Sequence, residues 1–204
     1  MTDERARPLR ESDLDPDPLR QFDAWFAEAR AAVRAPEAVA VATATPEGEP
    51  SVRMVLAKGW DDKGFVFFTG YESRKGAELE SNPRAALLFY WDPLGRQVRI
   101  EGPVARVSCE ESERYFHSRP RGAQLAALAS SQSGVIDGRE ELEARYAALE
   151  REYDGYDVLL PAAWGGFRLT PGSYEFWQHR ENRLHDRLRY RRSGGRWTIE
   201  RLGP

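Results

Sequence analysis

The hydrophobic pattern changes period at residue 38, and this change constrains the fold more than any other feature of the sequence. Before it, Phe22 and Phe26 recur at helical spacing behind Asp17-Pro18, a pair that is typical of a helix start. After it come short apolar runs separated by turn residues, which predict strands. One amphipathic helix followed by a meander of strands argues against alternating βαβ units.

Strands and capped helices can be placed along the chain from alternation and turn residues. Strands are predicted over 38–44, 51–57, 65–69, 84–91, 97–107, 166–170, 173–178, 187–191 and 197–202. Helices are predicted after Asp17, Ser73 and Ser108, and over 124–129 and 140–153. Antiparallel strands with helices inserted between them predict an α+β domain of barrel type, in which closure removes most unpaired sheet edges.

Composition limits the classes of protein to which the chain can belong. Its 204 residues are 41% hydrophobic, with no apolar run near the roughly 18 residues of a membrane span, so no membrane protein is expected. The start resembles no signal peptide and Cys109 is the single cysteine, so we expect a cytoplasmic protein without internal disulfides. The net charge of −3 gives no reason to expect nucleic acid. We predict a flexible N-terminal tail over 1–16 and one domain over 17–204.

Positive charge is the chemically informative feature of the sequence. Only Lys58, Lys63 and Lys75 are lysines among 30 basic residues, a skew toward arginine that genome base composition explains. Phosphate-loop, dinucleotide-binding and nucleophile-elbow motifs are absent, and the three histidines lack the spacing of a helical zinc pair, so no metal site is expected. The remaining candidates are cations near strand ends and helix starts, where they suit a phosphorylated ligand.

Three pairs of residues are candidates for binding such a ligand. Arg53 and Lys58 are five residues apart on one predicted strand, so their side chains point to opposite faces unless the strand ends between them. Arg74-Lys75 lies at a helix N-terminus, which favours an anion, although a solvated basic pair explains it at least as well. Tyr115 and Arg119 are four residues apart, a spacing that fits a phosphate clamp or, equally, a core-edge tyrosine beside a helix cap.

The C-terminal region carries the densest positive charge. Residues 179–201 contain eight arginines and three acidic residues, a balance of +5. Their alternation on a predicted strand and the acidic chain average argue against nucleic acid. Arg183, His185 and Arg187 share one face if this segment is extended, which makes them a candidate site. Gln132-Ser133 offers amide and hydroxyl contacts to a polar ring, or serves as ordinary turn material.

Taken together, these motifs resemble the pyridoxamine 5′-phosphate oxidase family. The similarity runs from about Asp13 to Pro204. It is carried by nine ordered segments: RMVLAK (53–58), FFT (67–69), SRK (73–75), RQV (96–98), YFHSRP (115–120), SQS (131–133), WGG (164–166), EFWQ (175–178) and RLHDR (183–187). Each segment is weak alone, but their order and comparable spacing make the resemblance specific.

The resemblance implies an α+β, FMN-binding split β-barrel, mostly antiparallel with peripheral helices, that works as a homodimer with each FMN between the subunits. The implied cofactor-binding residues are Arg53, Met54, Val55, Leu56, Lys58, Phe68, Thr69, Arg74, Lys75, Gln97, Gln132, Ser133, Trp177 and Arg187. The implied substrate-binding residues are Lys58, Tyr115, Arg119, Ala123, Arg183 and His185. Arg183 and His185 are also the implied catalytic residues, which cover the pyridine ring of the substrate opposite the flavin.

The reaction implied by the resemblance is the oxidation by O2 of pyridoxamine 5′-phosphate and pyridoxine 5′-phosphate to pyridoxal 5′-phosphate in vitamin B6 biosynthesis or salvage. H2O2 is released, together with ammonia from the amine.

Two positions depart from the family pattern: Ala123 replaces a serine of the substrate phosphate pocket, and no tyrosine completes an N-terminal R-x-x-Y element between Arg5 and Glu11. The alternatives are a related flavin oxidase of phenazine biosynthesis and a non-catalytic protein that binds FMN or pyridoxal phosphate. The three predicted phosphate ligands favour a phosphorylated substrate over an unphosphorylated tricyclic one.

Overall fold

The computed structural model describes residues 7–204, which form ten strands and five α-helices. The helices are α1 (Pro18–Ala32), α2 (Arg74–Ser81), α3 (Cys109–Ser118), α4 (Arg121–Ala129) and α5 (Arg139–Glu152). The strands are β1 (Ala38–Ala44), β2 (Pro50–Leu56), β3 (Gly59–Asp61), β4 (Gly64–Gly70), β5 (Arg84–Trp91), β6 (Arg96–Arg106), β7 (Trp164–Leu169), β8 (Ser173–Gln178), β9 (Asp186–Ser193) and β10 (Arg196–Leu202). Only the short strand β3 has no counterpart in the predicted pattern.

The strands within residues 7–204 pair in antiparallel fashion in the order β10-β9-β8-β6-β5-β1-β2. The last part of β6 also pairs with β7, and β7 pairs with β4. The Lys58 backbone N–H donates to the Val66 carbonyl at 2.8 Å, which joins the end of β2 to β4. Strands β2, β1, β5, β6, β7 and β4 therefore curl into a nearly closed barrel, and the expected α+β split barrel with peripheral helices is confirmed.

Helix α1 packs its aromatic side chains on the barrel strands. The Asp17 carboxylate accepts the Leu19 backbone N–H at 2.9 Å, and a proline occupies the first helical position, as the sequence predicts. Phe22 is completely buried, and its ring centroid lies 4.9 Å from that of Phe65 and 5.0 Å from that of Phe89. The helix therefore holds β4 and β5 together through one aromatic cluster.

The sheet has a buried face and an outer face. Register partners place Met54 of β2, Leu88 of β5, Arg99 of β6, Glu175 of β8 and Arg189 of β9 in one row on the outer face, with Ala40 of β1 between the first two. Side chains on the opposite face of β1, β5, β6, β8 and β9 form the core, whereas those on the opposite face of β2 are only partly buried. Of the helices between residues 7 and 204, none combines the length and the apolar character needed to cross a bilayer.

The described part of the N-terminal segment is docked, which differs from the flexible tail expected over 1–16. Leu9 and Leu14 are buried in the core, and the Leu9 backbone N–H donates to the Asp186 carboxylate at 3.1 Å. The Glu11 carboxylate pairs with the Arg201 guanidinium at 2.8 Å. These partners lie far away in sequence, so local pattern could not reveal them. Residues 1–6, which include Arg5 at the start of the region without the R-x-x-Y tyrosine, lie outside the described residues.

Replacing Phe22 with alanine should remove the centre of the aromatic cluster. Because Phe22 is completely buried, we expect F22A to lower the free energy of unfolding by about 3–5 kcal/mol in urea denaturation. Tyr156, whose side chain is largely exposed, supplies the control: Y156A should change the same quantity by no more than about 0.5 kcal/mol. Equal effects of the two substitutions would contradict the packing described for α1.

Candidate active site

A cavity of about 670 Å³ lies beside β2, between β4, the start of α2 and the end of α3. Its lining includes most of the residues that are predicted from the sequence to bind the cofactor or the substrate. These are Arg53, Met54, Val55, Leu56, Lys58, Phe68, Thr69, Arg74, Lys75, Tyr115, Arg119, Gln132 and Ser133. Among residues 7–204, no three histidine, cysteine or acidic side chains are grouped as metal ligands.

One end of the cavity is formed by the N-terminus of α2. The Ser73 hydroxyl caps the helix by accepting the Gly76 backbone N–H at 3.3 Å. Lys75 is buried, and its ammonium donates to the Thr69 hydroxyl at 2.9 Å and to the Ser73 hydroxyl at 3.2 Å. Burial lowers the pKa of Lys75, and the nearby positive charge of Arg53 lowers it further. A cation and free helix N–H groups at one point make this end suited to an anion.

Arg53 and Arg74 reach the same end of the cavity and share one carboxylate. Glu78, one turn into α2, accepts a hydrogen bond from Arg74 Nε at 2.9 Å and one from Arg53 Nη2 at 3.3 Å. Glu78 is buried, and burial alone would raise its pKa. Hydrogen bonds from two hydroxyl groups and the two guanidinium groups outweigh burial and lower the pKa of Glu78 from 4.5 to about 2. The cluster therefore holds three cations and one buried carboxylate.

The middle of the cavity has an aromatic wall. The ring of Phe68 stacks on that of Tyr115 with centroids 3.9 Å apart, and the Trp164 ring lies nearly parallel to both, 5.6 Å from Phe68 and 6.2 Å from Tyr115. Burial raises the pKa of Tyr115, so its hydroxyl keeps its proton and can donate a hydrogen bond. This wall is flat and apolar, apart from the phenol group at one edge.

The other end of the cavity carries a second set of cations. Arg119 follows α3, and its guanidinium lies 4.7 Å from the centroid of the Trp164 ring. Its Nη1 atom is buried and has no hydrogen-bond partner within residues 7–204. Lys58 is exposed and lines the same cavity. An orphaned guanidinium nitrogen beside a phenol and an ammonium is a donor set that fits a phosphate group.

Arg53 and Lys58 line a single cavity, although strict alternation would separate them. The strand β2 ends at Leu56, so the two-residue period stops before Lys58. The sequence pattern predicts opposite faces only if the strand continues from Arg53 to Lys58, and the strand ends between them. The two cations nevertheless serve different ends of the cavity, because Arg53 contacts the α2 cluster through Glu78.

The loop after α4 closes one side of the cavity. Gln132 Oε1 accepts hydrogen bonds from the Thr69 hydroxyl at 2.8 Å and from the Gly70 backbone N–H at 3.0 Å. Its amide nitrogen therefore faces away from β4. Ser133 has a φ of 71°, in the left-handed region that non-glycine residues rarely adopt. Ala123 lies in the first turn of α4 and is not part of the cavity lining.

The remaining predicted site residues form a second group on the outer face, separate from the cavity of their own chain. Gln97, Trp177 and Arg187 are direct register partners across β6, β8 and β9. The Arg187 guanidinium donates to the buried Glu175 carboxylate at 2.8 Å. Neighbouring outer-face side chains are charged, so this part of the sheet is polar where β2 is apolar.

Arg183 and His185 belong to this second group and lie in the turn between β8 and β9. Asn182 and Arg183 both have left-handed backbones, with φ values of 55° and 62°. His185 Nδ1 accepts the Arg180 backbone N–H at 3.2 Å, and the His185 ring lies 4.5 Å from the Trp177 ring. Burial, followed by the nearby His179 and Arg183, lowers the pKa of His185. Imidazole is therefore the favoured form of His185 at neutral pH.

Two residues of the site were missed by sequence reasoning. Trp164 was used only as part of a motif, and Glu78 was not singled out at all. A glutamate four residues after an arginine on a helix is an ordinary surface pattern, so only its burial reveals Glu78. The aromatic motif Trp164-Gly165-Gly166 is the signal that could have identified the wall, because tight glycines bring β7 against β4.

Two family models match the chain. Residues 26–151 match the model described as pyridoxamine 5′-phosphate oxidase. Residues 164–204 match the pyridoxine 5′-phosphate oxidase C-terminal dimerisation region.

Known proteins extend the match to almost the whole chain. The pyridoxine/pyridoxamine 5′-phosphate oxidase of Rubrobacter xylanophilus is 57% identical, over 96% of this chain and 91% of that protein. The protein of the same name from Cyanothece sp. is 54% identical, over 99% of this chain and 95% of that protein. The crystal structure of PhzG from Burkholderia lata 383 in complex with tetrahydrophenazine-1-carboxylic acid has a TM-score of 0.91 and 35% identity, covering 98% of this chain and 100% of that chain.

The barrel and its two-ended cationic cavity define a split-barrel protein with a site suited to anions. The matches make this class specific, and the chain belongs to the pyridoxamine 5′-phosphate oxidase family. Membership of this family supports an oxidoreductase with a flavin cofactor. The C-terminal match supports a homodimer.

The low pKa of Glu78 predicts a contribution to acid stability. Since its pKa is about 2 in the folded chain and near 4.5 when unfolded, the contribution is complete above pH 4.5 and is lost as the pH falls toward about 2. We expect E78Q to show a shallower fall in the free energy of unfolding over this range, measured by urea denaturation. Glu80, on the same helix but half-exposed and paired with Arg106, gives the control E80Q, which should keep the slope. If the free energy of unfolding of E78Q fell with pH as steeply as that of the wild type, this would contradict the ionised state assigned to Glu78.

Proposed function

We propose that the chain is an FMN-dependent oxidase that converts pyridoxamine 5′-phosphate and pyridoxine 5′-phosphate with O2 to pyridoxal 5′-phosphate. H2O2 is the second product, and the amine substrate also takes up water and releases ammonia. One observation carries this proposal: the cavity has a separate set of cations at each end of a flat aromatic wall. This arrangement suits two phosphorylated aromatic ligands, and the names of the curated relatives agree with it.

The α2 end of the cavity fits the phosphate of FMN. Arg74 has an exposed guanidinium at the cavity, and only its Nε atom is bound to Glu78. Lys75 is held at the helix start by two hydroxyl groups, which fixes its position before any ligand arrives. Free N–H groups at the start of α2 add hydrogen-bond donors to the two cations. Together they would hold the phosphate, while Gln132 and Ser133 lie where they would contact the rest of the flavin.

The opposite end fits the phosphate of the substrate. Arg119 Nη1 is buried without a partner, and a bound phosphate oxygen would satisfy it. The protonated Tyr115 hydroxyl and the exposed Lys58 would complete the clamp. Ala123 supplies no hydroxyl to this set, so the clamp depends on three side chains. A missing neutral donor to a charged acceptor costs on the order of 1–3 kcal/mol of binding.

A second copy of the chain would complete the site. Val52, Met54 and Leu56 expose 68%, 63% and 42% of their surfaces on the outer face of β2, beside the cavity. Exposed apolar side chains in one row are typical of an interface. If a homodimer covers this face, then the second group, which includes Trp177 and Arg187, can reach the cavity of the partner subunit. This explains why one set of family residues is divided between two regions of one chain.

The protein's contribution to the reaction is binding, orientation and charge placement. FMN, when bound, supplies the acceptor for a hydride from the C4′ carbon of the substrate and the site of reoxidation by O2. Lys58, Tyr115 and Arg119 fix the substrate by its phosphate. Arg183 and His185 would cover the substrate ring on the side away from the flavin, and the left-handed backbone of Arg183 sets the direction of its side chain. Since His185 Nδ1 accepts the Arg180 backbone N–H, the proton of the neutral ring lies on Nε2, which can donate a hydrogen bond there.

A flavin oxidase acting on an unphosphorylated tricyclic substrate is the second candidate function. The structural similarity to PhzG, at 35% identity over nearly the whole chain, is the observation that favours it. Lys58, Tyr115 and Arg119 argue for a phosphorylated substrate instead, because a phosphate monoester offers this donor set more negative charge and more acceptor oxygens than a single carboxylate does. A non-catalytic protein that binds FMN or pyridoxal phosphate is the third alternative, and only turnover separates it from the first.

Oxygen consumption tests the function directly. The purified protein should be yellow, and adding either phosphorylated substrate under air should consume O2 and form pyridoxal 5′-phosphate, measured with an oxygen electrode and by absorbance. Unphosphorylated pyridoxine serves as the matched control and should react far more slowly. A yellow protein that leaves both phosphorylated substrates unchanged would contradict oxidase activity, and a protein that cannot be loaded with FMN would contradict flavin binding as well.

Complementation between two inactive variants tests the shared site. R119A removes a cavity residue and R183A removes an outer-face residue, and R183A should lose turnover while retaining flavin. When the two variants are co-expressed and form mixed dimers at random, one site of each mixed dimer contains neither substitution. We therefore expect about a quarter of the wild-type activity from the mixture. Activity no higher than the mean of the two parent variants would indicate that each site is built from one chain.

A further inference from the structure

Glu78 is a buried carboxylate in a cluster that would otherwise be entirely cationic. Its Oε2 atom accepts hydrogen bonds from the hydroxyl groups of Ser51, at 2.5 Å, and Thr43. Both guanidinium groups of the cluster bind it as well, Arg74 at Oε1 and Arg53 at Oε2. Five per cent of Glu78 is exposed, so water cannot replace these partners.

Arg53 is turned toward the protein by the same network. Its Nη1 atom donates to the Val41 carbonyl at 3.2 Å and to the Thr43 hydroxyl at 2.6 Å. Its Nη2 atom donates to the Ser51 hydroxyl and to Glu78. Since each Nη atom carries two hydrogens, only the Nε–H of Arg53 is left for a ligand. Arg53 therefore acts on a phosphate mainly through its charge, which Glu78 partly cancels.

The charges of the cluster fit a phosphate monoester. Arg53, Arg74 and Lys75 carry three positive charges and Glu78 carries one negative charge, which leaves 3 − 1 = +2. A phosphate monoester carries a charge of about −1.5 to −2 at neutral pH. Without a ligand, Glu78 is the anion that separates the two guanidinium groups. With a phosphate bound, the cluster has two anions competing for the same cations.

We propose that Glu78 is a built-in counterion of the flavin phosphate pocket: a positioning residue that stabilises the ligand-free cluster and thereby limits how tightly the phosphate of FMN is held. This rests on the proposed function, since it assigns that phosphate to the α2 end of the cavity. Glu78 acts through Arg53 and Arg74 and touches neither the substrate nor the reacting atoms. Removing its charge destabilises the ligand-free protein more than the FMN-bound protein, so affinity for FMN rises.

The test compares E78Q with two control variants. E78Q keeps the shape of the side chain and removes its charge, E78D keeps the charge and shortens the side chain, and E80Q removes an exposed glutamate of the same helix that pairs with Arg106. Dissociation constants for FMN and for riboflavin, which lacks the phosphate, are measured by flavin fluorescence with the flavin-free full-length protein. Melting temperatures are measured with and without FMN and with inorganic phosphate.

E78Q should bind FMN roughly tenfold more tightly than the wild type, the order expected for removing one nearby like charge from a partly solvated pocket. Its affinity for riboflavin should not change. The flavin-free E78Q protein should melt at a lower temperature and should gain more from FMN than the wild type does. E80Q should match the wild type in all of these measurements, and E78D should not bind FMN more tightly.

Other results would overturn the proposal. Weaker or unchanged FMN binding by E78Q would mean that Glu78 is only a scaffold for Arg53 and Arg74. An E78Q protein that fails to fold even with FMN present would have the same meaning, whereas one that folds only with FMN supports the counterion role. If the wild type binds no FMN, the proposed function fails by itself. The inorganic phosphate measurement then decides the role of Glu78, because a counterion predicts a larger gain in melting temperature for E78Q.

Discussion

Strand β6 is the element on which the rest of the structure depends, because it pairs with three other strands. Its first part lies between β5 and β8, and its last part pairs with β7. Val98 and Ile100 are completely buried, so a slip of one residue would turn the polar side chains of Gln97 and Arg99 into the core. The register of β6 therefore fixes three things at once: the curl of the barrel, the outer face, and the position of β7 beside the cavity.

Local chemistry made most of the fold predictable from the sequence. Asp17, Ser73 and Ser108 each accept a backbone N–H at the start of the helix predicted after them. Caps and two-residue alternation are properties of neighbouring residues, so they can be found without knowing the fold. The docking of Leu9 onto Asp186 is the opposite case, because the two residues are 177 positions apart. Contacts of this kind follow from the finished barrel and leave no local signal.

The candidate site was predictable to the same extent and for the same reason. Arg74 and Lys75 could be recognised as an anion site from their place at a helix start, and the family motifs supplied the rest of the lining. Which of the predicted residues fall in which of the two groups could not be foreseen, since this depends on which face of β8 and β9 turns outward. Trp177 and Arg187 carry the same motif signal as the cavity residues, yet cross-strand register places them on the outer face.

The two ends of the cavity differ in how their positive charge is balanced, and this difference suits two different ligands. Arg53 and Arg74 already share the Glu78 carboxylate, so the α2 end is ordered before a ligand arrives, although it keeps net positive charge for a phosphate. At the other end, Lys58 and Arg119 have no carboxylate partner within residues 7–204. A pair of cations without a carboxylate partner favours rapid capture of a phosphate that must enter and leave in every cycle. A preorganised cluster favours a phosphate that stays bound, because little ordering remains to be done when it binds. Under the proposed function, the α2 end therefore selects the phosphate of the cofactor and the other end selects the phosphate of the substrate, before the ring of either ligand is recognised.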